Sequence, residues 1–444
     1  MVNSRRILVL GVAALLLLGT ASAGRSILSG QVLQDQVKAT GKPAPSQPAL
    51  PHLVLGDVIS TESAALSVWR NPSDVPIWTK KTDSSYYNQV AVGDVDSDGK
   101  SEIVVPVAKG TGSAFKIFID VYKEGSGVPI SSEKYSPGYF TDDSRVICDV
   151  TIANVIPETA GQKKINEIVV SHWYNLVIFQ WDGTNFRIKQ RIEARYINLP
   201  VTAFNGTTAK NIDADPEEEI FVSGQDTYSG PGYIYKIDMD NNANYTYTQI
   251  GSTLDCPITN IIIGHSLRAA DLDGDGALEI CLPAWYEDRS TSVSYWTAYL
   301  LVLEPDSVQP QWSSIIITEY EAPNLYSPGI GLDVGELDST LPGEEIALYL
   351  NQQASSVNWL YIFKYPFPSN GAPFGERRLQ DANTINDIKI GNILSGNKIV
   401  VCGNAPPPKG KTLRKYFEVF DVFMNSYWKV FGESGSMVDL AIVK

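Results

Sequence analysis

Asp94-Val95-Asp96-Ser97-Asp98-Gly99-Lys100-Ser101-Glu102-Ile103 returns later in the chain as Asp271-Leu272-Asp273-Gly274-Asp275-Gly276-Ala277-Leu278-Glu279-Ile280. Both stretches read D-x-D-x-D-G-x-x-E-I. Carboxylates at loop positions 1, 3, 5 and 9, with a free backbone carbonyl at 7, can wrap one hard cation in oxygen, and the glycine at 6 permits the sharp turn. Calcium is the natural fit, because so many carboxylates in one short loop repel one another without a counter-ion. Apolar runs flank the first copy, Val90-Ala91-Val92 before it and Ile103-Val104-Val105 after it, so the loop is expected to join two adjacent antiparallel strands. No flanking helices and no bidentate acid at position 12 are visible, which excludes an EF-hand.

Weaker copies of the unit begin at Asn154, Asn211, Glu336 and Asn392, at intervals of about 56 to 65 residues. Asn211-x-Asp213-x-Asp215-Pro216-Glu217-x-Glu219-Ile220 keeps the ligand types and loses only the glycine, so a third calcium is expected there. The Glu336 loop is undecided, and the Asn154 and Asn392 loops are expected to be metal-free. Each unit reads as a loop, a Glu-Ile-Val-Val strand, an aromatic-rich strand, a polar turn, a third strand, and an apolar strand into the next loop. Four strands per unit, arranged radially, make a β-propeller blade. The chain ends in Met437-Val438-Asp439-Leu440-Ala441-Ile442-Val443-Lys444, which aligns with Ile385-Asn386-Asp387-Ile388-Lys389-Ile390-Gly391-Asn392, an innermost strand. Before Asp94, Leu53-Val54-Leu55, Leu66-Ser67-Val68-Trp69 and Val75-Pro76-Ile77-Trp78 supply three strands that lack such a partner. The reading is an all-β, seven-bladed propeller over residues 52–444, closed by one C-terminal and three N-terminal strands.

The rest of the composition agrees. Aromatics at 10%, including 22 Tyr and 9 Trp, together with 35 Gly suit an all-β chain, and a net charge of −15 argues against nucleic acid, which needs a basic footprint. Residues 1–23 carry Arg5 and Arg6, an apolar run and Ala21-Ser22-Ala23, the pattern of a secretory signal peptide, with an uncleaved anchor as the alternative. Residues 24–51 are polar and proline-dotted, the composition of a disordered tether. The protein is therefore expected outside the cytoplasm, secreted or at the cell surface, as a monomer whose propeller does not insert into a membrane. Cys148, Cys256, Cys281 and Cys402 are too scattered for a disulfide framework; buried thiols are expected, with one bridge possible. Asn205 and Asn244 head glycosylation sequons.

The repeated loop resembles that of the FG-GAP and VCBS repeat families, which form the integrin α-chain head and many secreted propellers. The resemblance implies calcium on Asp94, Asp96, Asp98 and Glu102 and on Asp271, Asp273, Asp275 and Glu279, with carbonyls from Lys100 and Ala277. The FG and GAP signatures are missing, so no integrin-like role is implied.

Metal loops on one face leave the opposite face as the contact surface. His172, Trp173, Tyr174, Tyr228, Trp285, Tyr286 and the neighbouring Arg289, Trp296 and Trp359 fall there, rings that suit sugar faces or a protein hot spot unless they pack between blades. Arg268, Asp333 and Lys389, with Asp149, Asp387 and Asp439, fall on one face of the innermost strands and are expected to ring the central tunnel, as a paired network or a ligand pocket. No H-E-x-x-H, G-x-S-x-G or Walker loop occurs. The functional expectation is a calcium-stabilised module that binds a glycan or an extracellular protein without catalysis. A polysaccharide lyase or hydrolase and a structural envelope component are the alternatives.

Overall fold

The computed structural model describes residues 49–444, apart from 51, 56, 63–64, 72, 82–84, 88, 110–115, 124, 136–146, 159–162, 173–174, 195–202, 213–214, 226–230, 255–260, 265, 289–293, 306–310, 323–328, 353–356, 394–395, 409–411 and 444. The expected signal segment, and the tether up to residue 48, lie outside the described residues, as do Trp173, Tyr174, Asp213, Tyr228 and Arg289. The chain opens with β1 (Val58–Glu62), β2 (Ala65–Trp69) and β3 (Trp78–Lys81). Blade one follows as β4 (Ser85–Tyr87), β5 (Ala91–Gly93), β6 (Glu102–Lys109), β7 (Lys116–Tyr122) and β8 (Ser131–Tyr135), with β4 and β5 as two halves of the innermost strand. Blade two holds β9 (Ile147–Ala153), β10 (Glu167–His172), β11 (Asn175–Trp181) and β12 (Phe186–Glu193). Blade three holds β13 (Ala203–Lys210), β14 (Glu219–Gln225), β15 (Gly232–Met239) and β16 (Tyr245–Ser252).

Blade four again splits its innermost strand, into β17 (Ile262–Ile263) and β18 (Arg268–Ala270), before β19 (Glu279–Asp288), β20 (Ser294–Glu304) and β21 (Gln311–Ala322). Blade five is β22 (Gly329–Gly335), β23 (Glu345–Gln352), β24 (Val357–Phe363) and β25 (Gly375–Arg378). Blade six is β26 (Thr384–Asn392), β27 (Asn397–Ala405), β28 (Arg414–Phe420) and β29 (Ser426–Ser434). The last strand, β30 (Met437–Ile442), pairs antiparallel with β1, giving blade seven the order β30-β1-β2-β3. The expected closure is therefore observed.

Why the second strands read as unbroken apolar runs follows from their position. Every residue of β10 is buried, and alternation sends Ile168 and Val170 toward blade one and Val169 toward blade three. Seven apolar clusters among the described residues each join two neighbouring blades, so the core is a ring of interfaces without a central mass. One of them, built on Val58, Trp69, Val400, Phe417 and Leu440, seals the seam between the last complete blade and the closing one.

Two N-terminal strand positions need correction. Leu53-Val54-Leu55 is not a strand, because Asp57 accepts the Val54 N–H at 3.0 Å and turns the chain before β1 begins at Val58. The third strand starts at Trp78, after the segment containing Pro76, whose ring lacks the N–H a ladder needs.

Candidate metal centre and tunnel

Each of the six loops lies between the innermost and second strand of its blade, as the flanking apolar runs require. At the foot of the second strand stands a buried glutamate in blades one to five, and one of its oxygens closes the loop by accepting an N–H from the residue after the loop's first. Glu102 accepts from Val95 at 3.0 Å, Glu167 from Val155 at 2.9 Å, Glu219 from Ile212 at 2.9 Å, Glu279 from Leu272 at 2.7 Å and Glu345 from Leu337 at 2.8 Å. This glutamate therefore has a structural task whether or not a metal binds.

Two loops gather carboxylates around it. Asp94, Asp96 and Glu102 bring one oxygen each to within 4.8 Å of one another, and Asp271, Asp273 and Glu279 do the same. Asp98 and Asp275 stand outside these triads; each accepts an N–H two residues on, from Lys100 at 2.9 Å and Ala277 at 2.8 Å, which shapes the turn. Gly99 and Gly276 adopt φ of 88° and 92°, the left-handed conformation that their position demands. The donor set suits a hard cation: Glu102 Oε1 and Asp94 Oδ1 are buried without a hydrogen-bond partner, a costly state for carboxylate oxygens that a coordinated ion would relieve. Burial pushes Glu102 up to about 8 and Glu279 up to about 7, with the neighbouring aspartates adding to both shifts.

In the third candidate loop, Asn211 donates to the carbonyl of Asp215, while Asp215 is exposed, Glu217 half-buried and Glu219 buried. The loops also reach the next blade. Asn166 donates to the Asp94 carbonyl at 2.7 Å, Ser97 to the Lys164 carbonyl at 2.7 Å, and the Glu344 N–H to the Asp271 carbonyl at 2.8 Å.

Along the axis the charged residues do meet. Asp149 accepts the N–H of Thr207 at 3.3 Å, Asp333 that of Ile390 at 2.8 Å, Asp387 that of Leu440 at 2.9 Å and Asp439 that of Val90 at 2.6 Å. In every case the donor belongs to the innermost layer of the following blade, so these aspartates lace the ring together. Arg268 binds Asp333 at 2.6 Å and Asp149 at 3.4 Å, spanning blades two, four and five. Burial works against the Arg268 charge, yet Asp333 and Asp149 outweigh it and hold its pKa above the usual value. Lys389 lies 2.6 Å from Asp387 and 3.8 Å from Asp439. Burial, with Asp387 close by, pushes Asp439 well above the usual carboxylate range. Of the two tunnel arrangements expected, the paired network is the one these contacts describe.

On the opposite face the aromatic residues divide. His172 is 2% exposed, because it lies within the sheet opposite Ile147 and Asn175, and Trp285 is 7% exposed within the cluster joining blades four and five. Trp296 joins that cluster too, and Trp359 packs against it. None of these four is a free surface ring, which corrects the expectation for His172 and Trp285. Tyr286 is half-buried and Tyr295 is 41% exposed. Asn205 is buried and its side chain lies 3.5 Å from Gln225, so the first sequon is not at the surface. Cys281 and Cys402 are buried free thiols. Among the described residues no helix is long and apolar enough to cross a membrane.

No family model matches the chain, and no curated protein matches it. Among solved structures, the propeller is similar to a mutant Aleuria aurantia lectin in complex with alpha-methyl-L-fucoside, with 14% identity and a TM-score of 0.38 over 77% of this chain and 95% of that one. A second structure of the mutant lectin, with Fucalpha1-6GlcNAc, gives 13% identity and a TM-score of 0.37 over the same shares. At these values the likeness goes no further than fold.

Proposed function

We propose that the protein is a secreted or surface-held binding module whose ring is stapled by calcium and whose ligand, a glycan or an extracellular protein, docks on the face opposite the metal loops. The observation that carries the reading is the overshoot of blade four. Its β19, β20 and β21 run 10, 11 and 12 residues, whereas the second and third strands elsewhere run 5 to 9. Because β19 starts at Glu279 in the metal loop, its surplus length projects from the far face, carrying Tyr286, Glu287 and Asp288 opposite Thr297, Trp296 and Tyr295. Half-buried Tyr286, exposed Tyr295 and Asp288 share one face of the overshoot, apolar ring surface beside a carboxylate, the chemistry that holds a sugar ring or a protein anchor.

Calcium belongs to the two acidic triads, with the Asn211 loop as a third candidate. The ion would supply charge neutralisation and cross-linking, and the chain's own residues do the closing of loops and the lacing of blades. Export rests on the pattern of residues 1–23. A glycan array probed with full-length protein, with and without calcium, tests the reading. Binding that disappears in Tyr286→Ala and Tyr295→Ala variants is expected; retention of all binding in the double variant, or no bound glycan or protein at all, would sink it.

A further inference from the structure

In blades one to five the glutamate at the foot of the second strand faces one residue across the ladder, and that residue changes from blade to blade. The register pairs Ile103 with Tyr122, Ile168 with Phe179, Ile280 with Leu303 and Ile346 with Phe363, and in blade three Ile220 with Ile237, which sets Glu219 against an Asp238 that Lys236 neutralises at 3.2 Å. The next rung therefore sets Glu102 against Lys123, Glu167 against Gln180, Glu279 against Glu304 and Glu345 against Lys364. In blades two and five, whose loops show no acidic triad among the described residues, the facing side chain takes the glutamate's second oxygen: Gln180 at 2.8 Å from Glu167 and Lys364 at 3.1 Å from Glu345. Blade seven repeats the device with Asp57 and Arg70, joined at 2.6 and 2.7 Å. These blades neutralise their own strand foot.

The two blades with acidic triads differ at this rung by charge reversal. Lys123 passes Glu102 and places its ammonium 2.5 Å from Asp96 and 2.6 Å from Asp98, inside the loop's carboxylate set, while Glu102 Oε1 stays buried and unpartnered. Glu304 occupies the rung next to Ile280–Leu303, facing Glu279, and accepts a hydrogen bond from the Tyr365 hydroxyl of blade five. Opposite charges attract a divalent ion and like charges repel it, and the partial burial of both sites limits screening.

From this rung we infer that Lys123 is an internal occupant which a divalent cation must displace from the first loop, and that Glu304 strengthens the second, so the 271–279 loop is the tight site and the 94–102 loop a weaker one. The inference rests on the metal reading of the loops given above. It makes residues outside the D-x-D-x-D-G motif the determinants of affinity.

Calorimetric titration of chelator-stripped full-length protein with calcium chloride tests it. Wild type should show sites at least tenfold apart in dissociation constant, with Asp273→Asn removing the tighter. Lys123→Met should tighten the weaker site about tenfold and leave the tighter one alone. Lys123→Arg, which keeps the charge, should titrate like wild type, and Glu304→Gln should weaken the tighter site severalfold. A weaker site unmoved by Lys123→Met, in protein whose circular dichroism matches wild type, overturns the inference while leaving the metal loops standing. Absence of calcium uptake in wild type and in Lys123→Met overturns both.

Discussion

Glu167 lies fully buried at the foot of β10, with one oxygen on the N–H groups of Val155 and Ile156 and the other on Gln180. Burial pushes its pKa up to about 7, outweighing the hydrogen bonds that favour the charged form. The unfolded chain gives up this proton near the ordinary glutamate value, so between about pH 4.5 and 7 the folded state binds more protons and stability falls as pH rises. Glu167→Gln keeps the shape and can keep the N–H acceptor, with the Gln180 amide turned to match. The variant should unfold in urea like wild type near pH 4.5 and gain about 2 to 3 kcal/mol over it at pH 8. Equal midpoints at pH 8 would show that the carboxylate is ionised in the fold without penalty. What the sequence shows at this scale is uneven: the loop acids announce themselves by spacing within ten residues, whereas Gln180, Lys123 and Glu304 acquire meaning only through the register of a partner strand. Counting from the isoleucine after each glutamate to its aromatic-strand partner would have found them.

At the scale of the strand, the repeat of loop and apolar run was legible because the second strands that follow the loops are buried on both faces and open on an apolar run, as in Ile103-Val104-Val105 and Ile168-Val169-Val170. The N-terminal strands were less legible. Leu53-Val54-Leu55 has strand composition but precedes Asp57, whose side chain bends the backbone, and the true β1, Val58-Ile59-Ser60-Thr61-Glu62, carries a serine, a threonine and an acid that the closed ring buries. Closure itself depends on β30: Val58 pairs with Ile442, Ile59 with Ala441 and Ser60 with Leu440, and Asp439 reaches across to the Val90 N–H of blade one. Ending the chain after Ser436 removes that strand, leaves β1 with a bare inner edge, takes from Asp387 the Leu440 N–H it accepts, and strips Met437, Leu440 and Ile442 from the seam cluster. The truncated protein should aggregate on expression or lose its cooperative thermal transition. Soluble material with a wild-type melt would mean that the ring does not need its last strand.

Across the molecule, seven apolar interfaces among the described residues share the load, and no single core decides the fold. A ring of this kind tolerates weakening at one joint, since the other six continue to hold the blades in register. The two acidic loops stand at such joints: Asp94 and Ser97 touch blade two, and Asp271 touches blade five. On the proposed reading, an ion held there ties the inner hairpin of one blade and, through those contacts, stiffens its boundary with the next. Binding to the folded state alone adds about 2.7 kcal/mol per site at a hundredfold excess over the dissociation constant. Excess chelator should therefore lower the melting temperature by several degrees without unfolding the protein, because the apolar interfaces and the axial aspartate lacing remain. Calcium added back, and not sodium at matched ionic strength, should restore the transition. A melt indifferent to chelator in purified protein would leave the acidic loops as turns shaped by their own hydrogen bonds, with the ring held by apolar contact and by Asp149, Asp333, Asp387 and Asp439 alone.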